Sequence, residues 1–217
     1  MSTHTTMKDN PLLRRALENP PGNYLIVIGG TRVAEKAAYI SKLLDKVQTV
    51  LIGGAAAYTF LAAKGFDVGS SPVEKESIET CRDILKKAAE KNVKLLLPID
   101  HIAAIKIEPD ITIKMIKEGE DIPDNMMGLD IGFDTIKLFA AEVEKAGLIL
   151  WYGPLGVSRI DTFSGGTSEI AKAAAAYAAE SIIVGEELAA AVEKLGLTER
   201  FSYISPASGP VLDFLCG

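Results

Sequence analysis

Six short segments of the chain are apolar on consecutive positions instead of every second one: "YLIVIGG" (24–30), "VQTVLIGG" (47–54), "NVKLLLPID" (92–100), "GLILWYGP" (147–154), "ESIIVGEE" (180–187) and "FSYIS" (201–205). Strands that read this way are covered on both faces, which is the habit of a parallel sheet. The stretches between them follow the helical period. "VAEKAAYISKLLDKV" puts Val33, Ala37, Ile40, Leu44 and Val47 on one face, and "DTIKLFAAEVEKAG" does so with Ile136, Phe139, Ala140 and Val143. Asp134 is expected as the N-cap of the second helix and Gly147 as the residue just past its end. "GGTSEIAKAAAAYAAE" and "LAAAVEKLG" are alanine-rich helix formers. Alternating strands and helices predict a doubly wound α/β sandwich with ligands beyond the carboxyl ends of the strands.

The least regular part runs from His101 to Phe133, with β-branched residues, Pro109, Pro123 and an acidic run from Glu118 to Asp121. It predicts a short hairpin or excursion beside the main sheet. Residues 1–10 are expected to be a disordered tail, and "PLLRRALENPPG" a short helix stopped by Pro20 and Pro21. Residues 11–217 are then expected to form a single domain.

Composition narrows the partners. In 217 residues, 48% hydrophobic and 24% charged, there is material for one large core. A net charge of −6 removes the general attraction on which binders of nucleic acid or anionic membrane rely, so any phosphate site must be local. No apolar run approaches the roughly 20 residues of a bilayer span, and the first ten residues lack the pattern of a secretory signal. A cytoplasmic location is expected. Cys81 and Cys216 form no C-x-x-C pair and read as incidental thiols. No G-x-G-x-x-G or Walker lysine turn is present.

"LIVIGGTRVAEK" (25–36) nevertheless has the layout of an anion-binding turn, a strand ending in two glycines and then a helix. Together with "KLLDKVQTVLIGGAAAYTFLAAKGFDVGSS", "KNVKLLLPID", "IPDNMMGLDIG", "LILWYGPLGV", "GGTSEIAKA" and "AAAVEKLGLTERFSYIS", in that order, it resembles the C-terminal, nucleotide-binding domain of phosphoglycerate kinases over about residues 12–215. The resemblance implies a Rossmann-like, three-layer α/β/α sandwich with a six-stranded parallel sheet, binding ADP or ATP with Mg²⁺ at its C-terminal edge. It also implies that the phosphoglycerate-binding half is not among these residues.

What the resemblance implies for individual residues is mixed. The family's first turn reads G-G-A-K-V-x-D-K, and here Gly29, Gly30, Arg32 and Lys36 stand in its places, the two cations as phosphate contacts. Read for structure alone, the same stretch is a helix start with a solvated Glu35 and two exposed cations. Gly53 and Gly54 resemble the adenine-side wall, with Ala55 for a third glycine. Gly128 and Leu129 lie in the loop expected near adenine and ribose, although Gly128 and Gly132 could be plain turn glycines.

Other positions depart from the family. Tyr152, before Pro154, replaces an asparagine near the nucleotide, and Arg159 a carboxylate that grips the ribose. Gly185, Glu186, Glu187 and Leu188 stand in a G-G-G-D-S/T segment. Glu187 could hold Mg²⁺, whereas Glu186 is expected to satisfy the amides of its own helix and repel a phosphate. Ser205–Pro206–Ala207–Ser208–Gly209–Pro210 replaces S-T-G-G-G-A, with fewer N–H donors. Thr167 reads as a helix cap, and His101 as an ordinary histidine and no metal ligand.

Three functions follow as expectations. The first is a degenerate nucleotide- or anion-binding domain, its Mg-ADP or Mg-ATP binding weak or absent, without autonomous phosphoryl transfer. A second is half of a split kinase completed in trans. The third is a module that uses the former cleft, made more apolar by Tyr152, Leu188 and Pro206, for a protein partner, self-association or an apolar ligand.

Overall fold

Each of the six consecutive-apolar segments contains a strand of one sheet, seen in a computed structural model that describes residues 7–177 and 180–217. Along the chain run α1 (Pro11–Glu18), β1 (Tyr24–Ile28), α2 (Val33–Leu43), β2 (Thr49–Ile52), α3 (Gly54–Ala63), α4 (Ile78–Glu90) and β3 (Lys94–Leu96). There follow β4 (His101–Ala104), β5 (Lys114–Ile116), β6 (Met127–Ile131), α5 (Phe133–Val143) and β7 (Leu148–Tyr152). The last elements are α6 (Gly165–Ala176), β8 (Glu180–Val184), α7 (Glu186–Lys194), β9 (Tyr203–Ser205) and α8 (Ser208–Cys216).

The six strands pair in parallel in the order β3-β2-β1-β7-β8-β9. Alternate residues of each strand enter opposite cores, which is why consecutive positions had to be apolar. Ile26 and Ile28 of β1 pack with Ala37 and Ile40 of α2, Phe60 of α3, Ile84 of α4 and Val211 of α8. Leu25 and Val27 pack with Phe139 of α5, Ile170 of α6 and Leu188 and Val192 of α7. The result is a three-layer α/β/α sandwich.

The irregular region is more ordered than a single hairpin. It forms a second, antiparallel sheet in the order β5-β4-β6, with a register shift between Ile102 and Ala103. Behind it, Ala104, Leu129 and Phe163 make a small separate core. The run from Glu118 to Asp121 is exposed, as a solvated edge would be.

Several local expectations need correction. Of the ten residues expected to be disordered, 1–6 lie outside the described residues. Met7–Asp9 form a 3-10 turn, and the Asn10 side chain accepts from the amides of Leu12 and Leu13 to cap α1. Asp134 does not cap α5; Gly132 holds that position, and the carboxylate comes from Asp100, which accepts from the amides of Asp134 at 3.0 Å and Thr135 at 2.8 Å. Gly147 does not end α5, which stops at Val143; its amide instead donates to the Asn23 carbonyl beside β7. Thr167 is the third residue of α6, and its hydroxyl accepts from the Leu155 amide. A remote carboxylate serves α6 too: Asp130 of β6 accepts from the Gly166 amide at 2.8 Å.

Candidate functional site: a cleft at the sheet's switch point

The strand order reverses between β1 and β7, since the chain continues from β1 toward β2 and from β7 toward β8. Loops at such a point part and leave a crevice. Here they are also stitched together. The amides of Gly29 and Gly30 donate to the carbonyls of Tyr152 (2.8 Å) and Pro154 (2.6 Å), and the Gly54 amide to that of Leu155 (2.9 Å). Only glycine allows this at residue 29, because a Cβ there would sit 2.0 Å from the Pro154 oxygen.

Above these loops lies a cavity of about 910 Å³. Much of its wall is small or apolar (Gly54, Ala55, Pro72, Ile107, Met127, Leu129 and Val157), with Arg159, Lys194, Glu186 and Glu187 as its charged groups. A second chamber of about 280 Å³ continues it past Gly30, Thr31, Pro154, Glu186 and Glu187, which line both. This inner end holds Arg32, Lys36, Tyr152 and Ser208.

The inner end is a closed network. The Tyr152 hydroxyl donates to Glu35 at 2.7 Å, while Arg32 pairs with Glu35 at 3.2 Å and reaches the same hydroxyl at 3.4 Å. Ser208 lies 3.4 Å away on the other side. Lys36 is buried, donates to the Thr31 carbonyl, and holds its ammonium 4.2 Å from the centre of the Tyr152 ring, a cation–π distance. Burial pushes the Lys36 amine down to about 8, against the opposing pull of Glu35.

Two helix N-termini meet the inner end and differ. At α2, Glu74 accepts from the amides of Val33 (2.8 Å) and Ala34 (3.1 Å), so a carboxylate from 40 residues away fills the place an anion would take. The first turn of α7 has no such partner among the described residues. Glu186 is exposed and its side chain makes no hydrogen bond among the described residues, so the expectation that it satisfies the amides of its own helix is overturned: the side chain extends into solvent at the cleft rim.

Comparison with known proteins assigns this arrangement. The family model for phosphoglycerate kinase matches residues 6–217. The chain belongs to the phosphoglycerate kinase family. It is similar to the phosphoglycerate kinase of Clostridium tetani, at 42% identity over 210 residues, covering 97% of this chain and 52% of that protein. That of Thermosipho africanus is 41% identical over 213 residues, covering 97% and 53%. Among solved structures, the phosphoglycerate kinase of Coxiella burnetii superposes with a TM-score of 0.93 at 39% identity, covering 97% of this chain and 54% of that one. The enzyme of Pyrococcus horikoshii gives 0.82 at 27%, covering 97% and 53%. The chain thus spans about half the length of the phosphoglycerate kinases it matches, and its fold is that of their C-terminal domain.

Against this family background the expected site residues divide into three groups. Gly30, Gly54, Gly128, Leu129, Pro154 and Glu187 line the larger cavity. Arg32, Lys36, Tyr152, Gly185 and again Glu187 line the inner chamber. Gly29 and Gly53 line neither and act from behind, under Pro154 and Leu155.

Gly128 and Gly132 are not turn glycines. Gly128 lies within β6 and makes room for the Tyr58 hydroxyl, which a Cβ would meet at 2.0 Å; Gly132 makes room for Asp100, at 2.2 Å. Leu188 of α7 is buried and, as expected, lines the inner chamber together with Tyr152 and Pro206. The reading of two exposed cations fails for Lys36, and Glu35 is bonded across the cleft instead of solvated. Glu35 and Glu74 were missed as site residues, because their partners lie 117 and 41 residues away and no local pattern marks them, and the contact of Ser208 with Tyr152, 56 residues away, was not foreseen although its segment was singled out.

Proposed function

We propose that the chain is a phosphoglycerate-kinase-like domain whose cleft binds a nucleotide in altered form and that does not transfer a phosphoryl group by itself. Lys36 and Arg32, the cations that the family resemblance assigns to the phosphates, are already engaged by Thr31, Tyr152 and Glu35. That observation carries the reading. Phosphoryl transfer is almost wholly positioning and charge stabilisation, and cations held by internal partners supply neither until those partners are displaced.

The base end supports retained binding, since its walls are small and apolar enough to admit a flat ring. Glu187 fits the part of one magnesium ligand, being exposed at the start of α7, where its charge acts on Lys36. No three His, Cys, Asp or Glu side chains converge among the described residues, so such an ion would arrive with phosphate oxygens and neutralise their charge. No helix among the described residues is long and apolar enough to cross a membrane.

Titration of isotope-labelled protein with ADP tests the reading. Amide shifts are expected at Gly30, Gly54, Leu129 and Val157, saturating in the high micromolar range or above. Shifts confined to surfaces away from the cleft, or none at millimolar ADP, contradict it.

A further inference from the structure

We propose that this cleft selects a nucleoside, or its monophosphate, over the di- and triphosphate. The inference rests on the nucleotide reading above and names the ligand class within it.

Each cation of the inner chamber has an acceptor inside the protein. Arg32 has Glu35 and the Tyr152 hydroxyl, and Lys36 has the Thr31 carbonyl and the Tyr152 ring. Two acids and two cations line the chamber, but Arg32 is already matched by Glu35 behind it, while Glu186 and Glu187 have no hydrogen bond or ion pair from their side chains among the described residues. Glu74 occupies the N-terminus of α2 on the same side. A polyphosphate entering here must separate Glu35 from both partners and come to rest among these carboxylates. Like charges repel, more at the half-buried Glu35 than at the exposed Glu186 and Glu187. Tyr152 adds bulk, its ring buried between Lys36 and Tyr39, with ring centroids of the two tyrosines 6.5 Å apart.

The outer cavity shares Glu186 and Glu187 at its junction with the inner chamber, but a ligand there need not displace Glu35 from Arg32 and Tyr152. It is three times larger, and its apolar walls suit a base and sugar. Lys194 there is tied to Asp161 at 2.5 Å, but Arg159 is exposed and, among the described residues, has no acidic partner. Arg159 lines the outer cavity and not the inner chamber, so it can meet one phosphate without drawing a longer chain into the acidic end.

Calorimetric titration of the full chain with adenosine, AMP, ADP and ATP, in EDTA and in excess Mg²⁺, tests this. Adenosine and AMP are expected to bind at least about tenfold more tightly than ATP in both conditions. Glu186→Gln, at an exposed side chain without partners, is expected to narrow that gap about threefold and leave the fold intact; Tyr152→Asn, which opens the network, is expected to narrow it further. ATP binding as tightly as adenosine, or a gap unchanged in both variants, overturns the selectivity and leaves the nucleotide reading standing. Failure of all four ligands to bind overturns the nucleotide reading itself.

Discussion

His101 shows how much a single buried side chain reports. It starts β4 and packs against Tyr58 with ring centroids 5.5 Å apart, and its Nδ1 is buried with no hydrogen-bond partner among the described residues. Burial pushes its pKa down to about 4, with Asp100 pulling weakly the other way. An unfolded chain takes up this proton near pH 6.5, so the folded state is penalised as the pH falls from about 6.5 toward 4. Between pH 7 and pH 5 this one group is expected to remove about 2 kcal/mol of stability. Urea unfolding at the two pH values checks it: His101→Phe should lose about 2 kcal/mol less than the parent, and equal losses would show that the imidazole is not the cause. The histidine itself was visible in the sequence. Its environment was not, because Tyr58 comes from a different element.

At the scale of elements, strands were readable and helix starts were not. A strand covered on both faces must be apolar at consecutive positions, so the six strands announce themselves. Helix starts here depend on partners far away in sequence: Glu74 for α2, Asp100 for α5 and Asp130 for α6. That is why Asp134 and Thr167, the local candidates, were wrong. The same arrangement yields a prediction. Removing the carboxylate by Glu74→Ala leaves the Val33 and Ala34 amides open and should cost about 1–2 kcal/mol, read as a lower urea midpoint with unchanged slope. No loss of midpoint would mean that solvent serves those amides equally well.

Across the whole molecule, the sheet order decides where chemistry can occur; the order itself was not read from the sequence, but the loops that meet there were. Glycine pairs after β1 and β2 and the Gly153–Pro154 turn after β7 were recognisable, and they meet at the switch point. The state of the inner end was not readable. Glu35 is unremarkable in its own segment, and Tyr152, although it stands out against the family, becomes half of a lock only when the fold brings the two to 2.7 Å. The account therefore stands on that lock keeping Lys36 and Arg32 from a phosphate. The most direct test is ATP formation by the 217-residue chain from ADP, Mg²⁺ and 1,3-bisphosphoglycerate, followed by luminescence. The account predicts no ATP above the rate without protein; steady turnover that scales with protein concentration would contradict it.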